Sequence, residues 1–361
     1  MSEILQGAYG PDADDVRGAL ALPGRAYLDP AVFAAEADAV LRAGWLPVAR
    51  ESDVAAPGDY RSVDLLDTPL VVTRDSEGEI RVLSRVCRHR GMPVVEGSGN
   101  AKALTCPYHL WRYRLDGSLA AAPAMERSQT FDAAACGLPR IASTRWGGWI
   151  FANLDGRAAP LAPQLEPLAE RIAYAQPETL VTVGVVEFDS PWNWKVMVEN
   201  FLESYHHIGP HAATLQQTNP GLGTYEGTGG DLFTILENPP AEGHDPFVVA
   251  AIFPLTLMFF SQGEAPVGVW YELSQLQSAA FRLRVHLLAP PALAASPEFA
   301  AAFREQVTAI HMEDIPACEG VQRGVASPLY APGPLSHLEA CLWRFHRFLR
   351  RCGASASLPA A

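Results

Sequence analysis

Cys87-Arg88-His89 and Cys106-Pro107-Tyr108-His109 are two Cys/His loops separated by residues 90–105. Each loop offers one thiol and one imidazole. Two cysteines and two histidines are also a structural zinc set. The common zinc finger, however, takes both cysteines from one loop and both histidines from the other, whereas here each loop supplies one of each. The mixed pairing lets two loops clamp a two-iron cluster from opposite sides. Gly91 opens backbone conformations closed to other residues and Pro107 fixes φ, so both loops can bend around inorganic sulfur.

The pair resembles a Rieske [2Fe–2S] site, in which two thiolates hold one iron and two imidazoles hold the other, raising the reduction potential. On that reading Cys87, His89, Cys106 and His109 bind the cofactor and the chain moves electrons. A zinc-stabilised binding protein is the rival reading. It predicts a colourless sample, whereas a Rieske protein absorbs visible light.

The chain has 361 residues, 48% of them hydrophobic and 19% charged, which leaves room for two domains with ample core and no reason to expect disorder. No apolar run approaches the roughly 20 residues of a membrane span, and residues 1–15 have neither the basic start nor the apolar stretch of a secretory signal. The expectation is a cytoplasmic protein with no membrane partner. A formal net charge of −13 would repel phosphate backbones, so nucleic acid is not expected as a partner either. Cys136, Cys318, Cys341 and Cys352 stand at no metal-ligand spacing and read as core or surface thiols, since cytosolic thiols stay reduced.

Residues 30–43 carry apolar positions at helical spacing, and a run of short alternating strands follows. Residues 63–66, 70–73, 80–83 and 149–153 read as strands between turns such as Asp75-Ser76-Glu77-Gly78. Pro160, Pro163 and Pro167 break any regular element and suggest a boundary. Beyond it, strands are expected at 180–188, 232–236, 256–261, 267–273 and 281–288, and helices at 194–206, 299–319 and 335–350, with a frayed tail from residue 353 onward. Antiparallel strands with separate long helices argue an α+β domain. The expected division is a helical segment over 1–44 that packs on the C-terminal domain, an all-β cluster domain over 45–155 and that C-terminal domain over 156–361. No Gly-rich loop has the spacing and setting of a flavin or nicotinamide site, since Gly221-Leu222-Gly223-Thr224-Tyr225-Glu226-Gly227 lacks both, so electrons must come from a separate protein.

A second site is suggested by Glu203-Ser204-Tyr205-His206-His207-Ile208-Gly209-Pro210-His211. A helix places Glu203 and His206 on one face. His211, about 140° further around a regular helix, meets His206 only if the helix stops. Gly209-Pro210 is expected to supply that stop. Two imidazoles and one carboxylate form the facial triad that leaves positions open on Fe(II). Asp314 is the expected carboxylate, with Glu313 and Glu319 as rivals.

Together with Asn193-Trp194-Lys195, Glu199-Asn200-Phe201 and Glu313-Asp314-x₄-Glu319, these motifs resemble the α subunits of Rieske non-haem iron oxygenases across nearly the whole chain. The resemblance implies a Rieske domain beside a helix-grip catalytic domain of antiparallel sheet and long C-terminal helix, a homotrimer, and mononuclear Fe(II) held by His206, His211 and Asp314. It also implies a bridging, catalytic role for Glu203, between a Rieske histidine of one subunit and an iron-ligating histidine of the next, with Asn200 beside it in the catalytic set. Glu203 and its spacing look like the branch that oxidises choline, betaines and carnitine, although Ser204 and His207 stand where that branch often has cysteines.

The function implied is a terminal oxygenase. It would take electrons from a separate reductase or ferredoxin and use O₂ to hydroxylate or demethylate a small organic substrate, aromatic or quaternary ammonium. The alternative is a Rieske electron carrier whose C-terminal domain only binds a ligand. Phe233, Ile235, Phe253, Met258, Phe260, Trp270 and Tyr271 are candidates to line an apolar pocket, with Trp270 and Tyr271 on opposite faces of their strand.

Overall fold

The computed structural model describes residues 2–355. It divides into two compact units, Leu46–Ala158 and a second in which the residues up to Trp45 join those from Ala159 onward. Of the tail expected to fray, residues 356–361 lie outside the described residues, while residues 353–355 continue the last helix. No helix among the described residues is long and apolar enough to cross a membrane.

The Leu46–Ala158 unit is built from three small antiparallel sheets. The strand pair Thr68–Arg74 and Ile80–Ser84 is joined by the turn at Asp75, whose Oδ1 accepts the backbone N–H groups of Glu77 and Glu79 at 3.0 and 2.9 Å. Such a side-chain anchor is why Asp begins tight turns. Cys87 and Cys106 are buried in one apolar cluster with Val71, Leu83, Val94 and Trp111, so the cluster loops spring from core rather than from free surface.

The second unit carries a seven-stranded antiparallel sheet ordered Val181–Ser190, Phe281–Ala289, Gly268–Ser274, Thr256–Ser261, Phe247–Ile252, Phe233–Asn238 and Tyr225–Glu226. The Phe247–Ile252 strand was not expected. All six of its residues are buried, so it shows a short apolar run without the alternation that marks a half-exposed strand. Helix α1 (Trp194–Phe201), helix α2 (Pro297–Val325) and helix α3 (Ala340–Ser355) accompany the sheet. α2 outruns the expected 299–319 at both ends, running through Pro316, Gly320 and Gly324.

The N-terminal segment shares a buried polar network with α1. Glu36, fully buried, accepts hydrogen bonds from Tyr9 Oη at 2.9 Å, Trp194 Nε1 at 3.1 Å and Lys195 Nζ at 2.8 Å. Burial pushes the Lys195 ammonium down and Glu36 opposes it. Breaking such a pair from one side strands the other charge and costs roughly 3–5 kcal/mol. The network thus pins α1, the helix that leads into the histidine turn.

α1 ends earlier than expected. The Leu202 N–H closes onto the carbonyls of Val198 and Glu199, and Glu203 then accepts the His206 backbone N–H at 3.0 Å, which starts a separate 3₁₀ turn at Tyr205–Ile208. The helix therefore stops before Glu203. Gly209 only closes the following turn, its N–H reaching the His206 carbonyl at 2.9 Å.

Candidate metal centres

The two Cys/His loops close by the same backbone scheme. Cys87 N–H donates to Met92 O at 3.0 Å and Gly91 N–H returns to Cys87 O at 3.0 Å, while Cys106 N–H donates to Trp111 O at 2.8 Å and Leu110 N–H returns to Cys106 O at 3.1 Å. Both schemes need left-handed backbone at the fourth residue after the cysteine. Gly91 takes it at φ +79°, and Leu110, exposed, takes it at φ +59° against the ordinary cost to an L side chain.

The His89 and His109 rings lie 4.6 Å apart, and His89 stacks on Trp111 at 5.0 Å. Both thiols are free and buried, and the buried Nδ1 of His89 has no partner among the described residues. An orphaned imidazole nitrogen beside two thiols fits a metal bond, so the residues present suit the cluster. Tyr113, fully buried, accepts the Arg88 N–H at 3.0 Å and sits 3.2 Å from Cys87 Sγ. With its lone pair engaged by that N–H, the hydroxyl can donate to the sulfur. Burial and the neighbouring thiols keep it protonated by raising its pKa.

In the second unit, His206, His211 and Asp314 converge, with one ligand atom from each lying within 4.8 Å of the others. His206 Nδ1 is 2.7 Å from Glu203, and His211 Nδ1 is 2.6 Å from Glu313. A carboxylate only accepts, so each Nδ1 carries a proton. Each Nε2 faces Asp314, at 3.4 Å from His206 and 3.0 Å from His211, where it donates to that carboxylate in the metal-free protein and would give up its proton to supply a lone pair to a metal. Asn200 Nδ2 donates to Asp314 Oδ1 at 3.1 Å and fixes that carboxylate from a third side.

Three carboxylates surround two imidazoles. Burial would lower the His206 pKa, but Asp314 and Glu203 outweigh it and lift it to about 10. Burial would raise Asp314, but the two imidazoles hold it below the usual carboxylate range. Such a constellation is built to hold positive charge, and two Nε2 atoms with one carboxylate fit a divalent iron with open positions.

The sequence rivals separate cleanly. Glu313 holds the far side of His211 and the Thr214 hydroxyl, while Glu319 makes an exposed pair with Arg323. Glu313 was weighed only as a ligand, and its orienting place was missed.

The triad lies in the wall of a cavity of about 330 Å³. Of the expected pocket residues only Tyr271 lines it. Strand register explains the correction: Phe247, Val249, Phe259, Val269 and Tyr271 share one face, whereas Met258, Phe260 and Trp270 point away. Trp270 stacks instead on His286 at 4.3 Å, and Phe253 packs on Phe348 at 5.2 Å. Phe233 and Ile235 are buried outside the lining. α2 contributes Phe303, Val307 and Ile310 to the lining, along with the ligand candidate Asp314.

His207 also lines the cavity, with its ring 5.4 Å from that of His206 and 5.5 Å from that of His211. Its Nδ1 lies 2.9 Å from the Asn219 carbonyl, and burial lowers its pKa to about 4.

Residues 44–132 match the Rieske [2Fe-2S] domain, and residues 177–247 and 228–355 match the ring hydroxylating alpha subunit (catalytic domain). The chain belongs to the Rieske-type ring-hydroxylating α subunits. Among relatives of this α subunit, the carnitine monooxygenase oxygenase subunit of Acinetobacter pittii is 35% identical over 187 residues, 51% of this chain and 50% of the relative. The chain therefore spans about half the length of that relative. The chloroplastic choline monooxygenase of Spinacia oleracea is 26% identical over 91% of this chain and 77% of the relative. In fold, the α subunit is similar to a quaternary ammonium Rieske monooxygenase with bound inhibitor, at TM-score 0.84 and 24% identity over 92% of this chain and 95% of that one.

Proposed function

We propose that the chain is the terminal oxygenase component of a multicomponent system. Cys87, His89, Cys106 and His109 hold the Rieske cluster, and His206, His211 and Asp314 hold mononuclear Fe(II). When bound, these groups supply single-electron transfer and O₂ activation. The rest is the work of the chain. Glu203 keeps the Nδ1 proton on His206, Glu313 does the same for His211, and Asn200 orients Asp314, so all three ligand atoms face the cavity. The apolar walls exclude water from the bound substrate.

A separate NAD(P)H-dependent reductase or ferredoxin supplies electrons in the cytoplasm. The product arises by hydroxylation or oxidative demethylation of a small organic molecule. Likeness to the choline and carnitine enzymes favours quaternary ammonium substrates over aromatic ones. A homotrimer places Glu203 between a partner's cluster and this chain's iron.

The observation that carries the reading is the convergence of two Nε2 atoms and one carboxylate oxygen on a cavity, with both opposite Nδ1 protons held by carboxylates. Iron and sulfide analysis with reductase-coupled turnover tests it. Three irons per chain and O₂-dependent product are expected. Two irons and no product would make the chain an electron carrier.

A further inference from the structure

His207 has no task in the site as described. It sits between two iron-ligand candidates, yet its nitrogens lie outside the group that can close on one ion. Its Nδ1 faces the Asn219 carbonyl at 2.9 Å. A carbonyl only accepts, so Nδ1 carries the proton and Nε2 is the acceptor of the neutral ring. Among the described residues, no protein group bonds that Nε2. Nor is it sealed in protein, unlike both nitrogens of His311 on α2, which are buried and unpartnered. Since His207 lines the cavity, its Nε2 is an acceptor offered to whatever the cavity holds.

The ring is held firmly. Asn219 Nδ2 donates to the carbonyls of Asn238 at 3.2 Å and Asp245 at 3.1 Å, and Ser204 Oγ donates to Asn238 Oδ1 at 2.6 Å. The loop then presses onto the histidine turn at Gly221, where a Cβ would lie 2.1 Å from the Ser204 carbonyl and 3.2 Å from His207 Cβ. Only glycine permits that approach. An acceptor fixed this way loses little freedom on binding a donor, which is what makes a polar group selective.

Charge narrows the ligand further. No lysine or arginine lines the cavity among the described residues, while Glu203, Asp245 and Asp314 do. A carboxylate lying away from the metal triad would find no lysine or arginine to pair with.

We propose that His207 is a specificity-determining residue whose Nε2 accepts a hydrogen bond from an O–H or N–H group of an uncharged or cationic substrate, and that the cavity disfavours carboxylates. The inference rests on the cavity being the substrate site of the proposed oxygenase and deepens that reading.

Calorimetric titration of the iron-loaded protein with matched probes tests it: choline against propyltrimethylammonium, benzyl alcohol against toluene, and glycine betaine as the carboxylate. In at least one pair the alcohol is expected to bind about tenfold more tightly than its hydroxyl-free partner, the increment of one well-placed hydrogen bond. Betaine is expected to bind more weakly than choline. His207→Leu should bring that pair within twofold, and His207→Gln, which keeps a donor and an acceptor, should restore part of the difference. Iron content and visible absorption measured on each variant separate loss of the acceptor from loss of the site. Preference surviving in His207→Leu, betaine bound more tightly than choline, or neither alcohol binding would overturn the proposal. Binding preference is read without turnover, so a protein that discriminates the pairs but lacks the third iron would overturn the oxygenase reading instead.

Discussion

The cluster loops and the iron-binding turn solve one problem, convergence of metal donors, in different ways. Cys87 to His109 is a short span in which each loop ties itself shut through two backbone hydrogen bonds at its cysteine. Its cysteines are buried and its tips, Gly91, Met92, Tyr108 and Leu110, are exposed. The second site joins His206 and His211 to Asp314 on α2, across more than a hundred residues of chain, and His211 and Asp314 are buried. It is closed by side chains: Glu203, Glu313 and Asn200. Local closure makes the first site an autonomous clamp, whereas the second exists only while α2 is packed against the histidine turn.

The strongest test of that contrast is Asp314→Ala. Two imidazoles hold Fe(II) less firmly than a triad, so iron occupancy should fall and turnover should drop more than 100-fold. Visible absorption should be unchanged. A spectrum lost together with the iron would show that the clamp is not autonomous.

Glu203→Gln should act more narrowly. The amide is nearly isosteric but loses the charge-assisted bond to His206 Nδ1, so both metals should remain near wild-type occupancy while product per cluster oxidised falls roughly 10–100-fold. Single-turnover assays with pre-reduced protein read this directly, and iron loss would recast Glu203 as a support for the ligand.

Within the clamp, Tyr113→Phe removes a hydroxyl at 3.2 Å from Cys87 Sγ. A hydrogen bond to sulfur favours the reduced, more negative cluster. The potential should therefore fall by on the order of 40 mV, the one-electron equivalent of about 1 kcal/mol. A redox titration showing no change would place the hydroxyl proton elsewhere.

The smallest effect belongs to Leu110→Gly. Glycine relieves the left-handed strain but loosens the unfolded chain, leaving a net gain of up to about 1 kcal/mol in thermal unfolding of the loaded protein. A clear destabilisation would mean that the exposed leucine makes contacts worth more than its strain.

How far each region was legible follows from the same contrast. The loops could be read because spacing alone carries local geometry: both cysteines, both histidines and the Asp75 turn fall where pattern places them. His206, His211 and Asp314 meet because α2 packs there, which no local rule states, and only the ensemble of motifs pointed to them. The local reason given for that meeting needed correction, since Glu203 starts a new turn instead of extending α1. Cavity walls were misjudged because an unread strand, Phe247–Ile252, carries two of them, and aromatic content does not reveal which parity faces inward. His207 gave no signal beyond being an unusual neighbour, as its role depends on where Asn219 and Gly221 return in space.

α2 supplies a last consequence. Phe303, Gln306, Val307, Ile310 and Asp314 all reach the cavity from one stripe of this helix. At 1.5 Å rise per residue, Ile310 stands about 6 Å along the axis from Asp314, Val307 about 10 Å and Phe303 about 16 Å. The helix is a graduated scale with its zero at the metal carboxylate. Enlarging or shrinking the side chain at one mark shifts how deep an elongated molecule can slide, and so which of its carbons comes to rest at zero, while every metal ligand stays in place.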